Sequence, residues 1–205
     1  MMTGGRQGTV LVTGASGYIA GFVIQRLVAE GWHVRGTVRS LARAAEVRTT
    51  LGLPDLELVA CDLMLDDGWA EAMQGIDFVQ HIASPIPAAE PKDPNELIVP
   101  AREGALRALR FAHGAGVKRV VMTSSMAAIA YGHAPRDTPF TEADWSNVNS
   151  LDAYAYIKSK TLAERAAREW MAADGAGMEY VSINPAAVLG PVLGPDFSTS
   201  LEVVK

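Results

Sequence analysis

Thr9-Val10-Leu11-Val12-Thr13-Gly14-Ala15-Ser16-Gly17-Tyr18-Ile19-Ala20-Gly21 reads as a short apolar strand, a turn carrying glycines, and the opening of a helix. Val10, Leu11 and Val12 form the apolar run that a strand buried on both faces needs. Ile19, Phe22, Val23, Leu27 and Val28 then fall at helical spacing across residues 18–30. A strand that feeds a helix in this way aims the helix's free N–H groups and positive dipole end at one point, which suits a phosphate. Gly14 frees the backbone at the turn, and Gly17 lets it approach a pyrophosphate closely. The spacing is G-x-x-G-x-x-A rather than G-x-G-x-x-G. A ligand-free strand-to-helix turn uses similar residues, so the rest of the chain decides.

The alternation continues outward from this stretch. Strands are predicted at 33–38, 56–61, 77–83, 118–124 and 178–184, with helices at 41–51, 67–74, 96–115 and 152–173. Residues 84–95 and 126–150 read as loops, and the length of the second suggests a functional one. Strict alternation predicts an α/β fold: a Rossmann-type, doubly wound parallel sheet with helices on both faces. Ligands of such sheets bind at the carboxyl ends of the strands, near the switch in strand order. The turns after Thr13, Val38, Cys61, Ile82, Met122 and Ile183 are therefore expected along one edge.

The 205 residues, 49% hydrophobic and 20% charged, suit one globular domain. Residues 9–197 are expected to form it, after a flexible 1–8. A net charge of −5 with no lysine or arginine block argues against nucleic acid as a partner. No signal-type run and no bilayer-length apolar stretch are present, so no membrane partner is expected and the protein reads as cytoplasmic. The single cysteine, Cys61, allows no intrachain disulfide and reads as a buried, inert thiol. His33, His81, His113 and His133 lack metal-ligand spacing, so no metal site is expected. Near the end, Thr199 and Glu202 have capping-box spacing, and Leu201, Val203 and Val204 begin an apolar run. Residues 198–205 thus read as the start of a helix cut short, and the chain as a fragment; a frayed natural tail is the alternative.

Tyr156 and Lys160 lie four apart on a predicted helix, as do Tyr154 and Lys158. Continuing the first pair reaches Ala163, Ala167, Trp170 and Met171, an apolar face; continuing the second reaches Thr161, Arg165, Arg168 and Glu169, which belong in water. Only the first pair therefore packs on the sheet, where a lysine beside a tyrosine favours its phenolate and helps it act as acid or base. Thr123-Ser124-Ser125 ends the predicted fifth strand, on the edge where the glycine turn lies, and a serine hydroxyl there can hold a carbonyl oxygen. Arg39 just past the second strand suits the 2′-phosphate of NADP, where an acidic residue would hold the ribose 2′-hydroxyl of NAD.

Further stretches carry a resemblance. They are Thr37-Val38-Arg39, Asp62-Leu63, His81-Ile82-Ala83-Ser84-Pro85, Lys92-Asp93-Pro94 and Val117-Lys118-Arg119-Val120-Val121-Met122-Thr123-Ser124-Ser125. Tyr156-Ile157-Lys158-Ser159-Lys160 with Thr161-Leu162-Ala163-Glu164, Asn184-Pro185 and Gly190-Pro191 follow. With the opening turn, they resemble the extended short-chain dehydrogenase/reductase superfamily (the epimerase/dehydratase-like proteins). Within it they are most similar to the branch of dihydroflavonol-4-reductases, cinnamoyl-CoA reductases and microbial aldehyde and ketone reductases.

The resemblance implies roles for matching residues. Tyr156 would be the general acid, Lys160 would hold the nicotinamide ribose and tune Tyr156, and Ser125 would orient the carbonyl, with Ser124 the alternative. Gly14, Gly17, Tyr18 and Ile19 would meet the pyrophosphate through their backbone, with Ser16 also at the cofactor. Asp62 and Leu63 would border the adenine, Ala83 and Ser84 the ribose, and Pro185 and Val188 the nicotinamide. Ala20 stands where many relatives have glycine, and Ala101 where an N-x-x-G element would begin. Ala130, five past Ser125, and Asp152-Ala153-Tyr154-Ala155-Tyr156 depart from the flavonoid and cinnamoyl patterns and argue against those plant substrates.

The expected function is NADP(H)-dependent hydride transfer between a nicotinamide and a carbonyl or alcohol carbon, with a small aldehyde, ketone or alcohol as substrate. The alternatives are an NAD-dependent sugar-nucleotide epimerase or dehydratase, and a non-catalytic NADP-binding fragment. The family's smaller C-terminal substrate lobe is expected to be missing here. Pairing through helices 96–115 and 152–173, frequent in relatives, makes a homodimer plausible.

Overall fold

The computed structural model describes residues 7–86 and 89–194. The helix start expected at 198–205 lies outside the described residues. In chain order the elements are β1 (Thr9–Val12), α1 (Tyr18–Ala29), β2 (His33–Val38), α2 (Ala44–Leu51), β3 (Glu57–Ala60), α3 (Trp69–Met73), β4 (Phe78–His81), α4 (Asn95–Gly114), β5 (Arg119–Thr123), α5 (Ala155–Asp174) and β6 (Glu179–Ile183). The sheet order is β3-β2-β1-β4-β5-β6, with every pairing parallel. This is the expected doubly wound fold, and the strand order switches between β1 and β4.

The period of two along each strand sorts its side chains between two cores. Val10, Val12, Val34 and Val38 pack with Ile24, Val47 and Leu51 of α1 and α2. Leu11, Val79 and Val120 pack with Trp69, Leu109 and Ala167 of α3, α4 and α5. Gly104 sits inside α4 for a packing reason: a Cβ there would lie 2.7 Å from the Leu63 side chain.

Three local expectations need correction. Residues 41–43 form a 3₁₀ turn, with the Ser40 hydroxyl accepting from Ala42 N, before α2 begins. Helix α5 begins at Ala155, not at 152, because the Asp152 carboxylate is engaged by Ser150 Oγ and Gly132 N in the preceding loop. Thr161, placed in water above, is fully buried and donates to Ile157 O at 2.8 Å. The 126–150 loop covers that side of α5, laying Trp145 against Arg165 and Arg168.

The switch point is held by hydroxyls at two strand ends. Thr13 Oγ1 accepts from Ile82 N and Ala83 N, both at 2.9 Å, and its own hydrogen is left for His81 Nδ1 at 3.1 Å. On the other side, Thr37 Oγ1 accepts from Gly14 N at 3.2 Å, and Thr37 O from Ala15 N at 2.8 Å. Thr13→Val keeps the shape but leaves three polar groups without partners at a fully buried position. It should lower unfolding stability by about 2–4 kcal/mol in urea titration.

Candidate active site

Gly14 sits at φ +73°, and a Cβ there would lie 3.1 Å from the Cα and Cβ of Ala83. Conformation and space both require glycine. Gly17 closes the turn by donating to Gly14 O at 2.8 Å and serves as the N-cap of α1. It has no side chain to cap the helix, and the first turn of α1 carries no acidic residue. The chain thus leaves the positive end of α1 unneutralised at the switch point, an arrangement that fits a bound anion.

A cleft of about 1220 Å³ opens along the carboxyl ends of the strands. A drug-sized site is roughly 300–1,000 Å³, so there is room for a dinucleotide. Every site candidate named from the sequence lines it. Gly14, Ser16, Gly17, Tyr18 and Ile19 come from the first turn, and Arg39 follows β2. Asp62 and Leu63 follow β3, Ala83 and Ser84 follow β4, and Ser124 and Ser125 follow β5. Pro185 and Val188 follow β6, and Tyr156 and Lys160 come from α5. Cys61 also lies on this wall, half-buried rather than fully enclosed, and burial pushes its thiol up to about 12.

The helix pair faces as its apolar stripe indicated. Tyr154 is half exposed on the cleft wall, whereas Lys160 is 6% exposed and its Nζ lies 5.8 Å from the centre of the Tyr156 ring. No carboxylate among the described residues pairs with Lys160, and burial pushes its ammonium down to about 8. His81 lies behind the cleft; burial, aided by the Lys160 charge, pushes it down to about 4. It is therefore neutral at pH 7, as befits an Nδ1 that accepts from Thr13. Ser125 N-caps a 3₁₀ turn over Met126–Ala128, its Oγ accepting from Ala127 N at 3.1 Å. Accepting there leaves its O–H free to donate. Ser124 Oγ is buried beside the Glu164 carboxylate.

Sequence reasoning missed three polar residues that hold this set. Glu164, 2% exposed, accepts through Oε1 from Arg168 Nη2 at 2.8 Å and Ser182 Oγ at 2.7 Å, and through Oε2 from Asn184 Nδ2 at 2.7 Å. Burial pushes its carboxyl up, but the surrounding donors, with Ser124 close by, outweigh burial and hold it below the usual range. Asn184 Nδ2 also reaches Ser125 O at 3.1 Å, so one buried carboxylate ties α5 to the ends of β5 and β6. Its signal was present, since Glu164 continues the spacing of four through Tyr156 and Lys160. Glu90 gave no such signal: it comes from a proline-bearing loop, lines the cleft, and accepts from Ala155 N, the first residue of α5, at 2.7 Å.

With this geometry in view, residues 10–202 match the model of the NAD dependent epimerase/dehydratase family. A dihydroflavonol 4-reductase of Hordeum vulgare is 34% identical over 96% of the chain and 58% of its own length. Cinnamoyl-CoA reductase CAD2 of Medicago truncatula is 39% identical over 95% of the chain and 62% of its own length. Among solved structures, Gre2 from Candida albicans in complex with NADPH superposes with a TM-score of 0.84 at 29% identity, covering 96% of this chain and 64% of that one. The chain thus spans about three-fifths of the length of these curated relatives.

Lys160 should destabilise the fold that uses it. Below pH 8 both folded and unfolded chains hold its proton, so the burial cost applies in full; between 8 and 10.5 the folded chain sheds it first and the cost fades. Lys160→Met should therefore be more stable than the parent by roughly 3 kcal/mol at pH 7. The gain, followed by urea unfolding across pH, should shrink as pH approaches 10.5.

Proposed function

The chain belongs to the NAD dependent epimerase/dehydratase family, and we propose that it carries the nucleotide-binding and catalytic residues of an NADP(H)-dependent reductase. Its substrates are small aldehydes and ketones, or the corresponding alcohols in the reverse direction. One observation carries this reading: a tyrosine, a buried lysine and a serine with a free O–H line the same cleft as an uncapped helix N-terminus. The reductase names of the relatives and the NADPH in the Gre2 complex support it.

In this reading the N–H groups of Tyr18 and Ile19 at the start of α1 receive the diphosphate; Gly14 and Gly17, whose own N–H groups are used within the turn, let it approach the backbone closely, and Ser16 lies beside them. Arg39 meets the 2′-phosphate; Asp62 and Leu63 border the adenine, Ala83 and Ser84 the ribose, and Pro185 and Val188 the nicotinamide. The bound nicotinamide supplies the hydride. Ser125, rather than the enclosed Ser124, donates to the substrate oxygen. Tyr156 gives that oxygen its proton, and the Lys160 ammonium stabilises the phenolate left behind. A lysine at about 8 remains mostly charged at neutral pH, as this role requires. Neutral His81 adds no competing charge behind it.

The family description also names NAD-using epimerases and dehydratases, which would place an acid rather than Arg39 beyond β2. Fluorescence titration separates the two. NADPH should bind at least about tenfold more tightly than NADH, the worth of one charge-assisted arginine–phosphate contact, and Arg39→Asp should abolish the preference. Tyr156→Phe should keep NADPH affinity while cutting aldehyde or ketone turnover by about a hundredfold or more. A preference for NADH in the parent chain would overturn the NADP reading.

A further inference from the structure

Beyond β6 the chain lines the cleft on its way to α1 and α2, and its path is held at three points. Met126 N donates to Pro185 O at 2.9 Å, fixing the near end. The far end is fixed by Leu193, seated between α1 and α2. A Cβ on Gly21 would lie 2.9 Å from Leu193 Cδ1 and 3.0 Å from Leu51 Cδ2, so this seat exists because residue 21 has no side chain. In the middle, the Tyr18 hydroxyl donates to Pro191 O at 2.9 Å. Between Pro185 and Leu193 this is the segment's only hydrogen bond among the described residues. Packing gives the middle little hold, since Leu189 and Val192 are 59% and 48% exposed. The Tyr18 ring itself is steadied edge-on against Phe22, with centroids 5.2 Å apart.

The two sides of this bond both belong to the cleft. Tyr18 opens α1 at the anion-ready turn, while Pro185 to Leu189 form the facing wall. We propose that Tyr18 is a positioning residue whose phenol latches the 185–194 strap across the cleft, so that the latch must open before a nicotinamide dinucleotide leaves. The inference rests on the reading that this cleft takes NADP(H). It assigns a second task to a residue whose backbone was the part expected to matter. The latch sets residence time; the affinity of the diphosphate for the helix N-terminus is a separate quantity.

The test is stopped-flow displacement of NADPH from the full 205-residue chain. Tyr18→Phe keeps the ring and removes only the hydroxyl, and should raise the NADPH off-rate about threefold to tenfold, the worth of one hydrogen bond. The on-rate should rise by a similar factor, because the same latch opens for entry, and the thermal midpoint without nucleotide should fall by no more than about 2–4 °C, the worth of that one bond, where a general loosening of the fold would lower it further. Gly190→Ala offers a second route: its Cβ would lie 2.9 Å from the Tyr18 hydroxyl oxygen and push the latch apart, raising the off-rate likewise. In the Tyr18→Phe background that clash has no partner atom, so Gly190→Ala should add nothing. An unchanged off-rate in Tyr18→Phe, or additive effects of the two changes, overturns the latch while leaving the nucleotide reading intact. Failure of the parent chain to bind NADPH overturns the nucleotide reading and the latch with it.

Discussion

The rest of the structure depends on an unneutralised helix end. The first turn of α1 has no acidic residue and no side-chain cap, so its N–H groups keep their partial positive charge for something outside the chain. Placing that end at the switch point requires a sharp turn, hence Gly14 at positive φ against Ala83. Holding the turn against β2 and β4 takes the hydroxyls of Thr37 and Thr13. Each feature follows from the one before: the placement of the uncapped helix end fixes the turn, and the turn fixes the residues that end the neighbouring strands.

The other end of the cleft is built on buried charge. Lys160 is enclosed without a carboxylate partner among the described residues, and Glu164 is enclosed one turn further along α5 with three donor side chains, Arg168, Ser182 and Asn184, around it. A core of leucine and alanine would be cheaper at both positions. The carboxylate repays its burial by joining α5, Ser182, Asn184 and the Ser125 backbone into one rigid corner. Among the described residues the lysine has no such compensation, which fits the chemical role proposed for it.

Much of this was legible because it is written in local periodicity. The bounds predicted for β2, 33–38, are those observed, and the inward face of α5 follows from Ala163 and Ala167, both buried. The errors fall where distant segments intervene. Thr161 looked solvent-facing on a helical wheel, but a wheel cannot show that Trp145, from a loop without regular pattern, covers that side. The start of α5, expected at 152, was misplaced for a similar reason: the Asp152 carboxylate serves the preceding loop. Asn184 was visible only as a residue before a proline, and its two bonds depend on β5 and β6 lying side by side.

The bond from Glu90 to the first N–H of α5 has a mechanical consequence. Tyr156 is the second residue of that helix, so it stands in the turn where fraying begins. The loop that supplies Glu90 forms part of the cleft wall. A molecule that shoulders this loop aside withdraws a carboxylate from the end of α5 and slackens the phenol's footing; one that fits beneath it leaves the helix taut. With the role proposed for Tyr156, the fold thereby carries a crude gauge of shape, in which a misfit guest loosens the very group it would need.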